Sequence, residues 1–254
     1  MHNINQMTAP SIAIQDAYLS YNDSDSSVLS RLNMRFPGAK WSCILGRSGC
    51  GKSSLLRYLA NLLENKVRWS GEIKLEPQVE LHSEIAYMAQ QDLLMPWLSV
   101  IDNVMLSDKF GQNKPPAQRE KALQLLEKVG LVDKSHYLPQ QLSGGMRQRV
   151  ALARTLMQDK KIVLMDEPFS ALDAVTRYRL QNLAHALLKD KTVLLITHDP
   201  QEAIRLADKL FIIQGQPAFA ESLTIPSSIT PRKLDAECAL LQQTIIERLE
   251  QDYE

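Results

Sequence analysis

Gly46-Arg47-Ser48-Gly49-Cys50-Gly51-Lys52-Ser53 decides the fold. The stretch meets every required position of G-x-x-x-x-G-K-[ST], and its flanks supply the context that this pattern needs. Before it, Lys40-Trp41-Ser42-Cys43-Ile44-Leu45 is a short, mostly apolar run that reads as a buried strand ending at Gly46. After it, Ser53 to Leu63 carries apolar residues at 55, 56, 59, 62 and 63, the rhythm of a half-buried helix. Glycines let backbone N–H groups converge on phosphate oxygens without side-chain clashes, and the helix N-terminus adds donors and a favourable dipole. Gly46, Arg47, Ser48, Gly49, Cys50, Gly51, Lys52, Ser53 and Ser54 are therefore candidate nucleotide-binding residues. Lys52 is expected to neutralise the β- and γ-phosphates, and the Ser53 hydroxyl to ligate Mg²⁺. A plain turn between strand and helix would explain the glycines but not the complete motif in this context.

A second glycine signal, Leu142-Ser143-Gly144-Gly145-Met146-Arg147-Gln148-Arg149, opens a helix carrying Val150, Leu152, Ala153, Leu156 and Met157. Ser143, Gly144 and Gly145 can present a hydroxyl and backbone donors to an anion. Serine at an ordinary N-cap would look the same in isolation. What argues for a site is the position, downstream of the phosphate loop and just before an acidic strand end. That strand is the apolar run Ile162-Val163-Leu164-Met165, suited to a central parallel strand buried on both faces. Asp166 emerges at its carboxyl end, where open α/β sheets bind ligands, and can hold Mg²⁺ through its water shell. Glu167 follows and can orient or deprotonate an attacking water. A solvated Asp-Glu-Pro turn would not account for two adjacent carboxylates downstream of a phosphate loop. Thr192 to Ile196 is another apolar strand, ending in Thr197-His198-Asp199, so His198 reaches the same edge and can contact the γ-phosphate. His2, His82, His136 and His185 receive no role.

These motifs, in this order, resemble the nucleotide-binding subunits of ATP-binding cassette (ABC) transporters from about Ile12 to about Gln214. The resemblance implies an α/β fold, a P-loop NTPase with a RecA-like core, an antiparallel β subdomain and an inserted α-helical subdomain. It places the Walker A loop at 46–53, the signature loop at 142–149, Walker B at 162–166, the glutamate at 167, a D-loop at Ser170-Ala171-Leu172-Asp173 and the switch histidine at 198. Gln90 fits the Q-loop, favoured over Gln91 by its distance to Pro96-Trp97, and is implied as both a metal ligand and a member of the catalytic set with Glu167 and His198. Tyr21 fits the aromatic residue that stacks on adenine. The implied cofactors are ATP and Mg²⁺, the latter on Ser53, Gln90 and Asp166. Met146 stands where glutamine is usual; in the family the serine and glycines make the main phosphate contacts, so activity is expected to persist. Together with Leu93-Leu94-Met95-Pro96-Trp97-Leu98-Ser99-Val100, this variant resembles importers of nitrate, sulfonates, taurine and thiamine precursors. The family pairs two copies head to tail, each ATP lying between one P-loop and the other copy's signature loop. A homodimer, integral-membrane permease subunits and, indirectly, a substrate-binding protein are therefore the implied partners.

Composition agrees. The 254 residues carry 29 basic and 29 acidic side chains, with no basic tract of the kind that tracks nucleic acid. No apolar run approaches the roughly 20 residues needed to cross a bilayer. The polar start, Met1 to Gln6, does not read as a signal peptide, which gives the expectation of a peripheral protein on the cytoplasmic face of the plasma membrane. Cys43, Cys50 and Cys238 make no metal spacing and suit a reducing compartment. The helix N-terminus beside Cys50 is expected to lower its thiol pKa.

Along the chain, residues 1–225 are expected to form a single ATPase domain, with core at 11–92 and 159–225 and a helical subdomain at 93–158. Ser70 to Leu75 reads as a hairpin strand, and Lys114-Pro115-Pro116 as the loop before a helix with Ala122, Leu125, Leu126 and Val129 on one face. Residues 226–254 are expected to hold a linker and an amphipathic helix bearing Leu234, Cys238, Leu241, Ile245 and Leu249, packed on the core, with a dimer contact as the alternative. Two other classes stay open: a soluble ABC ATPase acting on nucleic acid or ribosomes, and a P-loop kinase for a small molecule. The first would usually carry coiled coils, tandem cassettes or basic arms, and the second would leave the 142–149 motif unexplained.

Overall fold

Strands β3 (Trp41–Gly46), β5 (Ile85–Met88), β6 (Ile162–Asp166), β7 (Thr192–Ile196), β8 (Lys209–Gln214) and β9 (Phe219–Leu223) build a six-stranded sheet in the order β5-β6-β7-β3-β8-β9. The structure is a computed structural model and describes residues 8–24, 26–107 and 117–252. The first five strands of that order run parallel, and β9 returns antiparallel to β8. β3, β6 and β7 are buried at every position, as their unbroken apolar runs require of strands covered on both faces. Alternate side chains divide between two cores. Cys43, Leu45, Val163, Met165, Val193 and Leu195 enter one, with Ala203, Ile204, Cys238 and Ile245 of the covering helices. Ile44, Ile162, Leu164, Leu194 and Ile196 enter the other.

That second core is closed by helix α1 (Lys52–Leu59) and by an antiparallel sheet of β1 (Ser11–Tyr21), β2 (Ser27–Phe36) and β4 (Val67–Glu76), in the order β2-β1-β4. Leu55, Leu56 and Leu59 are fully buried there, each contributing about 1.5–3 kcal/mol. The helix stops earlier than its apolar rhythm predicts. Asn61 takes φ 58°, and its N–H bonds the Tyr58 carbonyl at 2.9 Å while Leu62 N–H bonds that of Arg57 at 2.8 Å. This pair of bonds is a Schellman stop, which asparagine tolerates in the left-handed region. Leu62 is consequently 53% exposed rather than on the buried face. The 70–75 segment is a strand but not a hairpin with its neighbour: β4 pairs with β1, and the hairpin is β1 with β2.

A third cluster, including Leu94, Val100, Ala122, Leu126, Val129, Val150, Ala153 and Met157, lies among α2 (Val100–Val104), α3 (Ala117–Lys128) and α4 (Gly144–Met157). Ala151 and Leu152 of α4 enter the first core instead, so one helix is shared between two hydrophobic clusters. The Lys114-Pro115-Pro116 loop and the first residues of the chain lie outside the described residues. Helices α5 (Ala174–Leu187), α6 (Pro200–Leu206) and α7 (Ala236–Gln251) complete the fold. Cys238 and Ile245 of α7 are buried in the core, with Leu241 and Leu249 packed beside them. Leu234 instead precedes the helix, capped at Asp235, and is exposed. His185 stacks on Trp41, centroids 5.1 Å apart, a packing role. Among the described residues no helix is long and apolar enough to cross a membrane.

Candidate functional site

The carboxyl ends of β3, β6 and β7 face the same way because the strands are parallel, and β7 lies between the other two. β3 delivers the phosphate loop. Gly46 is required by close approach: a Cβ there would stand 2.4 Å from the Ile213 carbonyl oxygen of β8. Gly51 holds φ 100° as the N-cap of α1, and no side chain caps that helix. Lys52 is 5% exposed, and its Nζ donates to the carbonyls of Gly46 and Arg47, both at 2.7 Å. The ammonium thus sits inside the curl of the loop, while Ser48 and Gly49 form its exposed crest. The Tyr21 hydroxyl, at the end of β1, lies 2.8 Å from that of Ser54, which fixes the aromatic ring to the start of α1.

Cys50 corrects the expectation of a lowered thiol pKa. Its side chain packs into the second core with Leu55 and Ile213. Burial pushes the thiol up, and the opposing influence of Lys52, whose Nζ lies 3.8 Å from Sγ, is the smaller.

Asp166 and Glu167 face different partners. The Ser53 hydroxyl donates to Asp166 Oδ1 at 2.9 Å, joining the carboxyl end of β6 to the 46–53 loop. Tyr87, on the neighbouring strand β5, donates to Asp166 Oδ2 at 3.1 Å. Burial, and then the Asp166 charge, push its phenol up to about 12, so it remains a donor. No sequence signal marks this tyrosine, whose position in an apolar strand reads as core. Glu167 Oε2 accepts from Gln90 Nε2 at 3.2 Å and lies 2.9 Å from His198 Nδ1. Its backbone has φ 46°, in the left-handed region, and its N–H bonds the Ile196 carbonyl at 3.0 Å. Strained backbone of this kind persists where surrounding contacts fix it. Gln90 and His198, far apart in sequence, therefore converge on the carboxylate of Glu167.

Ser143, Gly144 and Gly145 stand elsewhere. The Ser143 hydroxyl accepts from Met146 N–H at 3.3 Å, capping α4. Added Cβ atoms at Gly144 and Gly145 would meet Arg147 and Thr176, not the phosphate loop. What α4 does hold is the segment after β5. Arg147 Nε donates to Asp92 Oδ2 at 2.8 Å, Gln148 Nε2 to the Gln90 carbonyl at 3.1 Å, and Arg154 to the carbonyls of Asp92 and Leu93 at 2.6 and 2.8 Å. The Gln90 carbonyl is held by α4 while its side chain reaches Glu167. Buried Asn103 holds the next turn through Met95, Leu98 and Ser99, leaving Trp97 72% exposed.

Behind His198, Asp199 caps α6 and buried Glu202 accepts from Gln181 Nε2 at 2.7 Å. Burial, reinforced by nearby Asp199, raises the Glu202 carboxyl to about 7, against hydrogen bonds from Thr197 and Gln181 and the charge of Arg177. A raised carboxyl favours the fold below the unfolded value of 4.5, and this contribution is lost as pH rises to about 7, on the order of 3 kcal/mol in all. Glu202→Gln is therefore expected to melt higher than wild type at pH 8, the gap closing as pH falls toward 4.5. Thermal melts across this range check it; a gap constant in pH would contradict the assignment.

The ABC transporter family matches residues 29–170. An uncharacterized ABC transporter ATP-binding protein of Haemophilus influenzae is 44% identical over 94% of this chain and 98% of its own length. An aliphatic sulfonates import ATP-binding protein of Mesorhizobium japonicum is 40% identical over 89% of this chain and 84% of its own. A dimeric bacterial ABC transporter cassette superposes with a TM-score of 0.69 at 27% identity, covering 84% of this chain and 99% of that one.

Proposed function

The chain belongs to the ABC transporter family as an ATP-binding subunit with ATPase activity, and from that premise we propose that it drives a membrane importer of small sulfonates or related nutrients. The observation that carries the catalytic reading is the clasp of Gln90 and His198 on Glu167, beside the Ser53–Asp166 bond. Glu167 takes the proton from the attacking water. His198 orients that carboxylate and meets the γ-phosphate, and Lys52 neutralises phosphate charge. Gln90 places its Nε2 on Glu167, which leaves its Oε1 as an acceptor. Ser53, Asp166 and Gln90 thus offer hard oxygen donors that suit Mg²⁺, which when bound screens the phosphate charge. Tyr21 stacks on adenine.

Two copies work as a head-to-tail dimer. The support is that Ser143, Gly144 and Gly145 border their own helix and Thr176 rather than the phosphate loop of the same chain. Each such loop is then free to complete the partner's site. The Gln90 to Leu93 segment, tied to α4, links the γ-phosphate to a helical subdomain at 93–158 that docks on permease subunits at the cytoplasmic membrane face. A separate substrate-binding protein selects the cargo.

The cargo reading rests on the printed names of sulfonate-importing relatives and on the 93–100 segment. Those relatives are transporter subunits over most of their length, so the nucleic-acid and kinase alternatives are not favoured. The test is reconstitution with the cognate permease and binding protein in vesicles. ATP-dependent uptake of taurine or an alkanesulfonate is expected, and uptake of nitrate or a pyrimidine precursor alone would overturn the sulfonate assignment.

A further inference from the structure

The second residue of the phosphate loop is not free. Arg47 Nη1 donates to the Asp252 carbonyl at 2.9 Å, and its Nε lies 3.3 Å from Asp252 Oδ2. Asp252 is the C-cap of α7, distant in sequence, and the two side chains are only 18% and 10% exposed. Its other carboxylate oxygen, Oδ1, accepts from Gly215 N–H at 2.6 Å, in the turn between β8 and β9. One turn earlier on the same helix, Arg248 pairs with Glu221 of β9 at 2.5 Å. Arg47 is joined in the other direction too, because its carbonyl accepts from Lys52 Nζ. A continuous chain of contacts therefore runs from the end of α7 through Arg47 to the phosphate-binding lysine.

We propose that Asp252 is a positioning residue for nucleotide binding: it clamps the phosphate loop to the strand beside it and fixes the Arg47 carbonyl that orients Lys52. This rests on the ATPase reading above and adds a role for a helix outside the recognised motifs. The physical reason is preorganisation. A glycine-rich loop is entropically costly to hold in one shape, and a mostly buried, charge-assisted anchor removes part of that cost before nucleotide arrives. The same contact takes up the Arg47 charge, which keeps that guanidinium from competing for phosphate at the loop crest.

The test uses the full chain with its permease, measuring KM and kcat for MgATP and the melting temperature. Asp252→Asn, which keeps an acceptor for Gly215, is expected to raise KM about three- to tenfold with kcat within about twofold. Arg47→Ala, which removes both the ion pair and the bond to the Asp252 carbonyl, should raise KM at least as much, and the double variant should be no worse than Arg47→Ala, because Asp252→Asn removes part of the same interaction. Arg248→Ala loosens the same helix without touching the loop, so it should lower the melting temperature and leave KM unchanged. An unmoved or lowered KM in Asp252→Asn, additive singles, or an equal KM rise in Arg248→Ala would each overturn the proposal. If wild type itself failed to hydrolyse MgATP in this assay, the ATPase reading would fall instead, so the two failures are distinguishable.

Discussion

Glu167→Gln is expected to bind MgATP about as tightly as wild type and to hydrolyse it at least about a hundredfold more slowly. The amide keeps the volume of the side chain and an oxygen within reach of His198 Nδ1 and Gln90 Nε2, now 2.9 and 3.2 Å from Glu167 Oε2. What it loses is the capacity to take a proton. Binding determinants lie on the other side of the site, in the phosphate loop, so affinity and turnover should separate. With cleavage blocked, the two-copy state should persist in MgATP and register as a doubled mass by light scattering. Wild-type turnover in this variant would remove Glu167 as the base. Slow turnover with an unchanged monomeric mass, permease present, would remove the head-to-tail dimer and leave the base in place.

Lys52→Ala carries the second large effect, and it acts on binding. The ammonium lies in the curl of the loop on two carbonyls at 2.7 Å, so it needs little movement to reach phosphate oxygens. Charge-assisted hydrogen bonds contribute about 1.5–3 kcal/mol each, and loss of two lowers affinity by at least about a hundredfold. Nucleotide titration with a fluorescent ATP analogue should show this loss, with ATPase activity at background. Circular dichroism should remain that of the wild type, because the loop is held separately by Gly46 against β8 and by Arg47 against Asp252. Retained affinity would mean that backbone donors alone hold the phosphates.

Local signals made much of this legible. The strand–loop–helix of the phosphate site, the buried runs of β6 and β7 and the serine cap of α4 all follow from periodicity and residue type within a dozen positions. The strand ends then bring Asp166, Glu167 and His198 to one edge, because parallel strands must point the same way. Partners across the chain were not legible. Periodicity says which face of Tyr87 or Arg154 is buried but not that one meets Asp166 and the other holds residues 92 and 93. The α1 helix stops short of its apolar rhythm because a single left-handed asparagine outweighs two further leucines. Proximity to a helix end does not decide the Cys50 thiol; the direction of Sγ, into the core, sets its environment. Leu234 kept the spacing of the last helix yet falls before its aspartate cap.

Helix α4 is embedded on one side with Val150, Ala153 and Met157 and on the other with Ala151 and Leu152, and its tip bears Gly144 and Gly145. Fourteen residues make a rod roughly 21 Å long. Pivoting such a rod by about ten degrees at its far end swings the tip through roughly 3–4 Å, longer than a hydrogen bond. In the proposed assembly a modest push from a permease would be magnified into the making or breaking of phosphate contact, with the helix serving as a crank between the bilayer and the nucleotide.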